Sequence, residues 1–243
     1  MNSENPTAVV TGGAVRVGRA LSLGLAEAGY DVVVNFRSSE GPAQEVQQRI
    51  RDLGRRCTLV QGDLGEPREV ARLAETALDC HGRIDLLVNS AASFHGTPIL
   101  EVDAEEWDDV LAVNTRGPHL LVRACAEALR GAHGAVVNIA DHMGLAPWVR
   151  YGAHSVSKAA LVHLTRIQAR ALAPEVRVNA VAPGLVLPPE DLSEEALERE
   201  VEATLVKRVG TPQDVLEAVL YLSRASFVTG QVLVVDGGGT VVD

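Results

Sequence analysis

Aromatic side chains are scarce: three Phe, three Tyr and two Trp amount to 3% of the 243 residues. A core built without them has to be assembled mostly from Ala, Val and Leu. Cysteine is rarer still, with Cys57, Cys80 and Cys125 widely spaced and no C-x-x-C pair. That spacing argues against a disulfide framework and fits buried, reduced thiols. No apolar run approaches the roughly 20 residues needed to cross a bilayer. The opening "MNSENPTAVVTGG" has no basic region ahead of an apolar core, so no secretory signal is visible and a cytoplasmic location is expected. Positive charge is also in deficit, 22 Lys and Arg against 32 Asp and Glu, for a formal net charge of -10. A nucleic-acid groove or an anionic membrane surface is therefore a poor fit as the main partner, although a local basic pocket for a phosphate is still allowed. No metal-ligand pattern is read.

What is abundant is alternation. Hydrophobic residues make up 47% of the chain and charged residues 22%, the balance of an ordinary globular protein. Short apolar runs at 7–11, 31–36, 57–62, 84–89, 135–140, 176–182 and 231–236 predict seven strands. They are nearly continuous Val- and Leu-rich runs, as expected when helices cover both faces of a parallel sheet. Helix-length segments lie between them, around 17–28, 42–53, 67–80, 103–130, 152–172 and 212–223. "DAEE" at 103–106 has the capping-box spacing, and "TPQD" at 211–214 offers a threonine cap with proline in the first turn. The expected fold is a single-domain, doubly wound α/β Rossmann-type fold over residues 1–243, with a seven-stranded parallel sheet. One stretch breaks the alternation: 184–208 has a proline pair and an acidic amphipathic segment, and is read as a substrate-loop insertion, either a lid or an extra surface helix.

The first predicted strand runs into "TGGAVRVGRAL". Gly12 and Gly13 allow a tight turn, and Gly18 lets the following helix pack against the sheet, so that a phosphate can sit on free amides at the helix N-terminus. Thr11, Arg16 and Val17 belong to the same turn. After the second strand an acid that would hold a ribose 2′-hydroxyl is missing. Asn35, Phe36, Arg37 and Ser38 stand there instead, and Arg37, with Arg16 as a second cation, suits a 2′-phosphate. NADP(H) is the expected cofactor.

Four later segments complete a pattern: "NSAASF" at 89–94, "VNT" at 113–115, "NIADHMG" at 138–144 and "HSVSK" at 154–158. With "TGGAVRVG" they make the chain resemble the short-chain dehydrogenase/reductase family over nearly its full length. That resemblance implies a hydride-transferring enzyme acting on a small-molecule carbonyl, alcohol or C=N group, commonly assembled as a homotetramer. It also implies cofactor contacts from Asp63, Leu64, Asn89, Ser90, Ala91, Lys158, Pro183 and Gly184. Within the family the turn T-G-x-x-x-R-x-G, Phe94 and Asp141 are similar to the pteridine reductase and dihydromonapterin reductase branch. A pterin-like substrate held by Phe94, Asp141, Tyr151 and His154 is what that narrower likeness implies.

In such a site Lys158 binds the nicotinamide ribose and raises the local positive potential, Asn114 holds a water, and Asp141 stands where most of the family has serine. His154 departs from the pattern, because a tyrosine is usual four residues before the lysine. An imidazole, with a reference pKa of about 6.5, is a workable acid near neutrality. Tyr151, three residues earlier, shares a helix face with His154 if the helix already includes it. The alternatives are a reductase of another carbonyl substrate, such as a 3-oxoacyl compound, and an NADP(H)-binding sensor or scaffold that has lost catalysis.

Overall fold

The computed structural model describes residues 5–188 and 193–241. Seven strands form one all-parallel sheet in the order β3-β2-β1-β4-β5-β6-β7. They are β1 (Thr7–Val10), β2 (Asp31–Phe36), β3 (Cys57–Gln61), β4 (Leu86–Asn89), β5 (Ala135–Ile139), β6 (Arg177–Pro183) and β7 (Val232–Val235). Successive strand residues point to opposite faces, and the two faces are covered separately. Ala8, Val10, Val32 and Val34 pack with helices α1 (Arg16–Glu27), α2 (Glu40–Asp52) and α8 (Pro212–Arg224). Val9, Val33, Leu87, Val136 and Val178 pack on the other side with α3 (Pro67–His81), α5 (Gly117–Ala132) and α6 (Gly152–Leu172). No aromatic ring is needed to fill either layer except at the margins, where Phe36 and Tyr30 close the edges. Cys57 and Cys125 are buried, and burial pushes both thiols up to about 12; Cys80, contrary to expectation, is exposed.

One boundary differs from the expectation in a way that matters for the site. The single helix expected over 103–130 is broken into α4 (Ala104–Leu111), a π-turn at Ala112–Arg116, and α5. The widened turn rotates the fully buried Asn114 towards α6, and such turns are common where a helix serves a site. Tyr151 lies outside α6, in a 3-10 turn at Val149–Tyr151, so it does not share a helix face with His154. The 184–208 stretch contains α7 (Glu194–Glu202), an acidic helix with no buried residue, capped by the Ser193 hydroxyl. Residues 189–192 of that stretch lie outside the described residues.

At α8 the sequence cue is fully realised. Thr211 accepts from the Asp214 amide, and the Asp214 carboxylate accepts from the Thr211 amide. At α4, Asp103 accepts from the Glu106 amide. The sheet's winding reverses between β1 and β4, which opens a crevice at their C-terminal ends. Among the described residues no helix is long and apolar enough to cross a membrane.

Candidate active site

The glycine turn lines one side of this crevice, and its glycines are required by space. Gly12 has φ +61°, and a Cβ there would lie 2.9 Å from the Ala91 Cα. A Cβ on Gly18 would lie 2.1 Å from the Gly12 carbonyl oxygen, so only glycine lets α1 start this close to the turn. The Thr11 hydroxyl accepts from the amides of Ser90 (2.9 Å) and Ala91 (3.1 Å), tying the turn to the loop after β4. Asn35, buried at the end of β2, completes the frame. Its side-chain oxygen accepts from the Gly12 amide, and its amide nitrogen donates to the Val60 and Gly62 carbonyls.

Helix α1 has no side-chain cap and no acid in its first turn, which leaves its first amides to an outside anion. The Asn89 side-chain oxygen, at the C-terminal end of β4, is buried without a hydrogen-bond partner. Both features fit a dinucleotide laid across the crevice. Val17 is half-buried beside the turn. Pro183 and Gly184 stand at the end of β6, where a Cβ on Gly184 would meet Asp236.

The residues expected at the adenosine end are only partly brought together. Arg37 and Ser38 are exposed past β2, and Arg37 pairs with Asp63 at 3.6 Å. The Asp63 carboxylate also accepts from the Gly65 amide, so part of its role is to shape its own turn. The Leu64 side chain is in the core, which leaves only its main chain on the site's edge. Arg16 does not join Arg37. With φ +49° it turns to the far side and donates to the Leu187 carbonyl, so it links the glycine turn to the start of the 184–208 segment.

At the opposite end four predicted residues converge. The Asn114 amide nitrogen donates to the Ser93 carbonyl (2.9 Å) and to the Ser157 hydroxyl (3.0 Å), and its oxygen accepts from the Ser93 amide (2.7 Å). The Lys158 ammonium donates to the Ile139 carbonyl at 2.8 Å. Burial lowers the Lys158 pKa to about 8, against the opposing pull of Asp141. The His154 Nε2 lies 3.4 Å from an Asp141 oxygen, and its Nδ1 lies 3.4 Å from the Ser93 carbonyl. Far from protruding into the crevice, the His154 ring is only 3% exposed.

Burial favours the neutral form of Asp141, yet donors from His142, His154 and the Met143 amide outweigh it and hold the carboxyl well below the usual range. Phe94 covers His154 edge-on, with ring centres 4.7 Å apart, and stacks on Tyr151 at 5.0 Å. Phe94 itself is 48% exposed, an apolar surface over the site.

Three contributors were missed in the sequence. His142 touches the second oxygen of Asp141 at 3.1 Å, and could have been suspected only from its adjacency in "NIADHMG". Ser93 holds both Asn114 and His154 through its main chain, which no side-chain pattern signals. Asn138 links Asn89 (2.8 Å) to Thr165 (2.9 Å) across the sheet's centre; it opens the "NIADHMG" segment but was given no role of its own. Among the described residues no group of His, Cys, Asp and Glu is arranged to hold a metal ion.

A family profile described as enoyl-(acyl carrier protein) reductase matches residues 13–240. An uncharacterized oxidoreductase of Mycobacterium tuberculosis is 36% identical over 98% of this chain and 93% of its own length. A protein assigned as ketoacyl reductase 2 of the granaticin polyketide synthase of Streptomyces violaceoruber is also 36% identical, over 97% of this chain and 96% of its own. The 3-oxoacyl-acyl-carrier-protein reductase of Staphylococcus epidermidis is 31% identical over 96% of this chain and 98% of its own. Among solved structures, one assigned as a short-chain dehydrogenase/reductase from Burkholderia xenovorans superposes with a TM-score of 0.92 at 31% identity, covering 99% of this chain and 100% of that one. Acetoin dehydrogenase from Enterobacter cloacae superposes with a TM-score of 0.90 at 30% identity, covering 100% and 98%. Profile, relatives and fold agree: the chain belongs to the short-chain dehydrogenase/reductase family.

Proposed function

We propose that this oxidoreductase is an NADP(H)-dependent reductase of a carbonyl substrate, with a 3-oxoacyl compound as the first substrate class and Asp141–His154 as its proton-handling pair. The observation that carries the reading is the 3.4 Å contact between His154 Nε2 and Asp141, under the Phe94 ring that also stacks on Tyr151 and close to the buried Lys158. The substrate class rests on the relatives, two of which bear ketoacyl reductase names. NADP(H) over NAD(H) is supported by the exposed Arg37 and by Asn35 and Phe36 standing where an acid would favour NAD(H).

The glycine turn, the first amides of α1 and Asn89 would hold the cofactor, and Lys158 would bind its nicotinamide ribose. Hydride for the carbonyl carbon is the chemistry such a cofactor supplies when bound. The protein's own task is then to deliver one proton to the carbonyl oxygen. His154 shares that proton at Nε2 with Asp141, the more exposed of the two, which passes it on towards the carbonyl oxygen. Phe94 and Tyr151 exclude water from one side. Tyr151 brings a phenol close to the site, but it is stacked against Phe94 and lies outside the helix that positions His154. A homotetramer in the cytoplasm is the assembly and location that family likeness suggests for it.

A pterin is the second substrate reading, favoured by two specific residues: Phe94, placed to stack on a planar ring, and Asp141 in place of serine. Oxidation of NADPH and of NADH should be followed with acetoacetyl-CoA and with dihydrobiopterin from about pH 5 to 8. Turnover of acetoacetyl-CoA with a preference for NADPH is the expected result, and turnover of dihydrobiopterin alone would replace the substrate class with pterins. NADPH binding with no turnover of either, followed by a large gain of activity in His154→Tyr, would identify a cofactor-binding protein that has lost catalysis.

A further inference from the structure

Asp141 is held from both sides. One oxygen faces His154; the other accepts from the Met143 amide at 2.8 Å and faces His142 Nδ1 at 3.1 Å. The same His142 Nδ1 lies 3.1 Å from the Pro183 carbonyl at the end of β6. Both neighbours of this nitrogen are acceptors, so the proton of His142 sits on Nδ1 and is shared between them. The His142 ring is fixed further by the edge of Trp148, with ring centres 5.3 Å apart. Its side chain is 18% exposed, against 3% for His154.

We propose that His142 is a positioning residue for the proton-handling pair: its Nδ1–H ties one oxygen of Asp141 to β6 and turns the other oxygen towards His154. The proposal rests on the reading of Asp141–His154 as the proton-handling pair and adds a third member to it. Without His142, the first oxygen of Asp141 would keep only the Met143 amide, and the carboxylate would be free to rotate about that single bond. Pro183 matters for the same reason, because it anchors the histidine to the strand that leads into the 184–208 segment.

Several charged groups face this cluster. Asp236 approaches from beyond β7, His154 and Lys158 approach from α6, and Asp141 is on the loop after β5. Asp236 is itself occupied by the Gly238 and Thr240 amides, which leaves Asp141 as the carboxylate that His142 contacts.

Two variants separate the idea from simple packing. His142→Leu fills the space and removes the donor, and His142→Asn keeps an N–H near the place of Nδ1 but cannot become charged. Losing a donor to the ionised form raises a carboxyl pKa. The titration of the Asp141 carboxyl, followed by carbon NMR, should therefore move up by about one pH unit in His142→Leu, and His142→Asn should bring it most of the way back. NADPH binding checks that each variant is folded. A carboxyl titration unchanged in folded His142→Leu overturns the proposal, as does a displacement equally large in His142→Asn. An inert parent with the expected carboxyl displacement keeps the contact and overturns the reductase reading instead.

Discussion

Two histidines are buried in this protein at opposite ends of the sheet, and their neighbours make them different objects. His81, 1% exposed, closes α3 beneath the N-terminal ends of β2 and β3. Its Nε2 lies 3.0 Å from the Thr58 hydroxyl, and its Nδ1 lies 3.5 Å from the Arg56 guanidinium, which pairs with the buried Asp31. A cation donating to one nitrogen leaves the other to carry the proton, so the neutral ring satisfies both contacts. Burial first, and then Arg56, lower the His81 pKa against the weaker pull of Asp31.

His154, 3% exposed, stands at the C-terminal end of the strands with a carboxylate at one nitrogen and a main-chain carbonyl at the other. Burial is the same in both places, but the sign of the nearest charge is opposite. In the proposed reading of the site, a buried histidine serves as a structural strut or a proton carrier according to what its ring nitrogens meet, and its own exposure does not decide which.

The strongest way to break the comparison is to remove that charge at the upper end. Asp141→Asn should lower kcat for acetoacetyl-CoA by about 10²–10⁴-fold while NADPH binding persists, as measured by steady-state kinetics and fluorescence titration. A near-normal kcat would reduce His154 to another strut. Gly18→Ala tests the frame that sets the crevice. Its Cβ would lie 2.1 Å from the Gly12 carbonyl oxygen, so α1 must shift, at about 3 kcal/mol of stability and with loss of NADPH affinity in a titration.

At the lower end, Thr58→Val removes the acceptor facing His81. Denaturant unfolding should show a loss of about 1–2 kcal/mol, with kcat per folded molecule unchanged. A fall in kcat there would mean that the two ends are coupled. The smallest effect concerns pH. Because the folded pKa of His81 lies below the unfolded value of 6.5, the unfolded chain binds more protons. The stability that neutral His81 contributes is therefore full above 6.5 and is lost as pH falls from there towards the folded pKa. Melting temperatures of the parent and of His81→Phe, taken from about pH 7.5 to 5, should diverge in slope, with the variant flatter.

Much of the fold was legible in the sequence because parallel strands buried on both faces are unambiguous apolar runs. The β2 boundaries match the expectation at both ends, and the other strands differ by one or two residues at one end or at both. The glycine turn was legible for a similar reason, since Gly12 and Gly18 answer to steric limits that few residue types meet. The break at Ala112–Arg116 was not, because the same residues satisfy a continuous helical period. Nor was the direction of Arg16, whose flexible side chain settles on Leu187 only when the end of β6 arrives beside the turn. His154 was singled out by its spacing from Lys158, whereas His81, just as buried, carried no pattern and passed unnoticed.

By itself, then, the sequence determined the winding of the sheet, the glycine-framed crevice and the presence of Asn114, Asp141, His154 and Lys158 in one pattern. Periodicity and steric necessity are local properties that survive in a one-dimensional string. Only the tertiary structure decided that His154 is covered by Phe94, that Asp141 is shared between two histidines, and that Arg37 meets Asp63 while Arg16 does not. Those outcomes depend on distances between chain segments far apart in sequence, and on which of several nearby polar groups comes within hydrogen-bonding reach. They arise when packing brings the loops after β4, β5 and β6 to one end of the sheet.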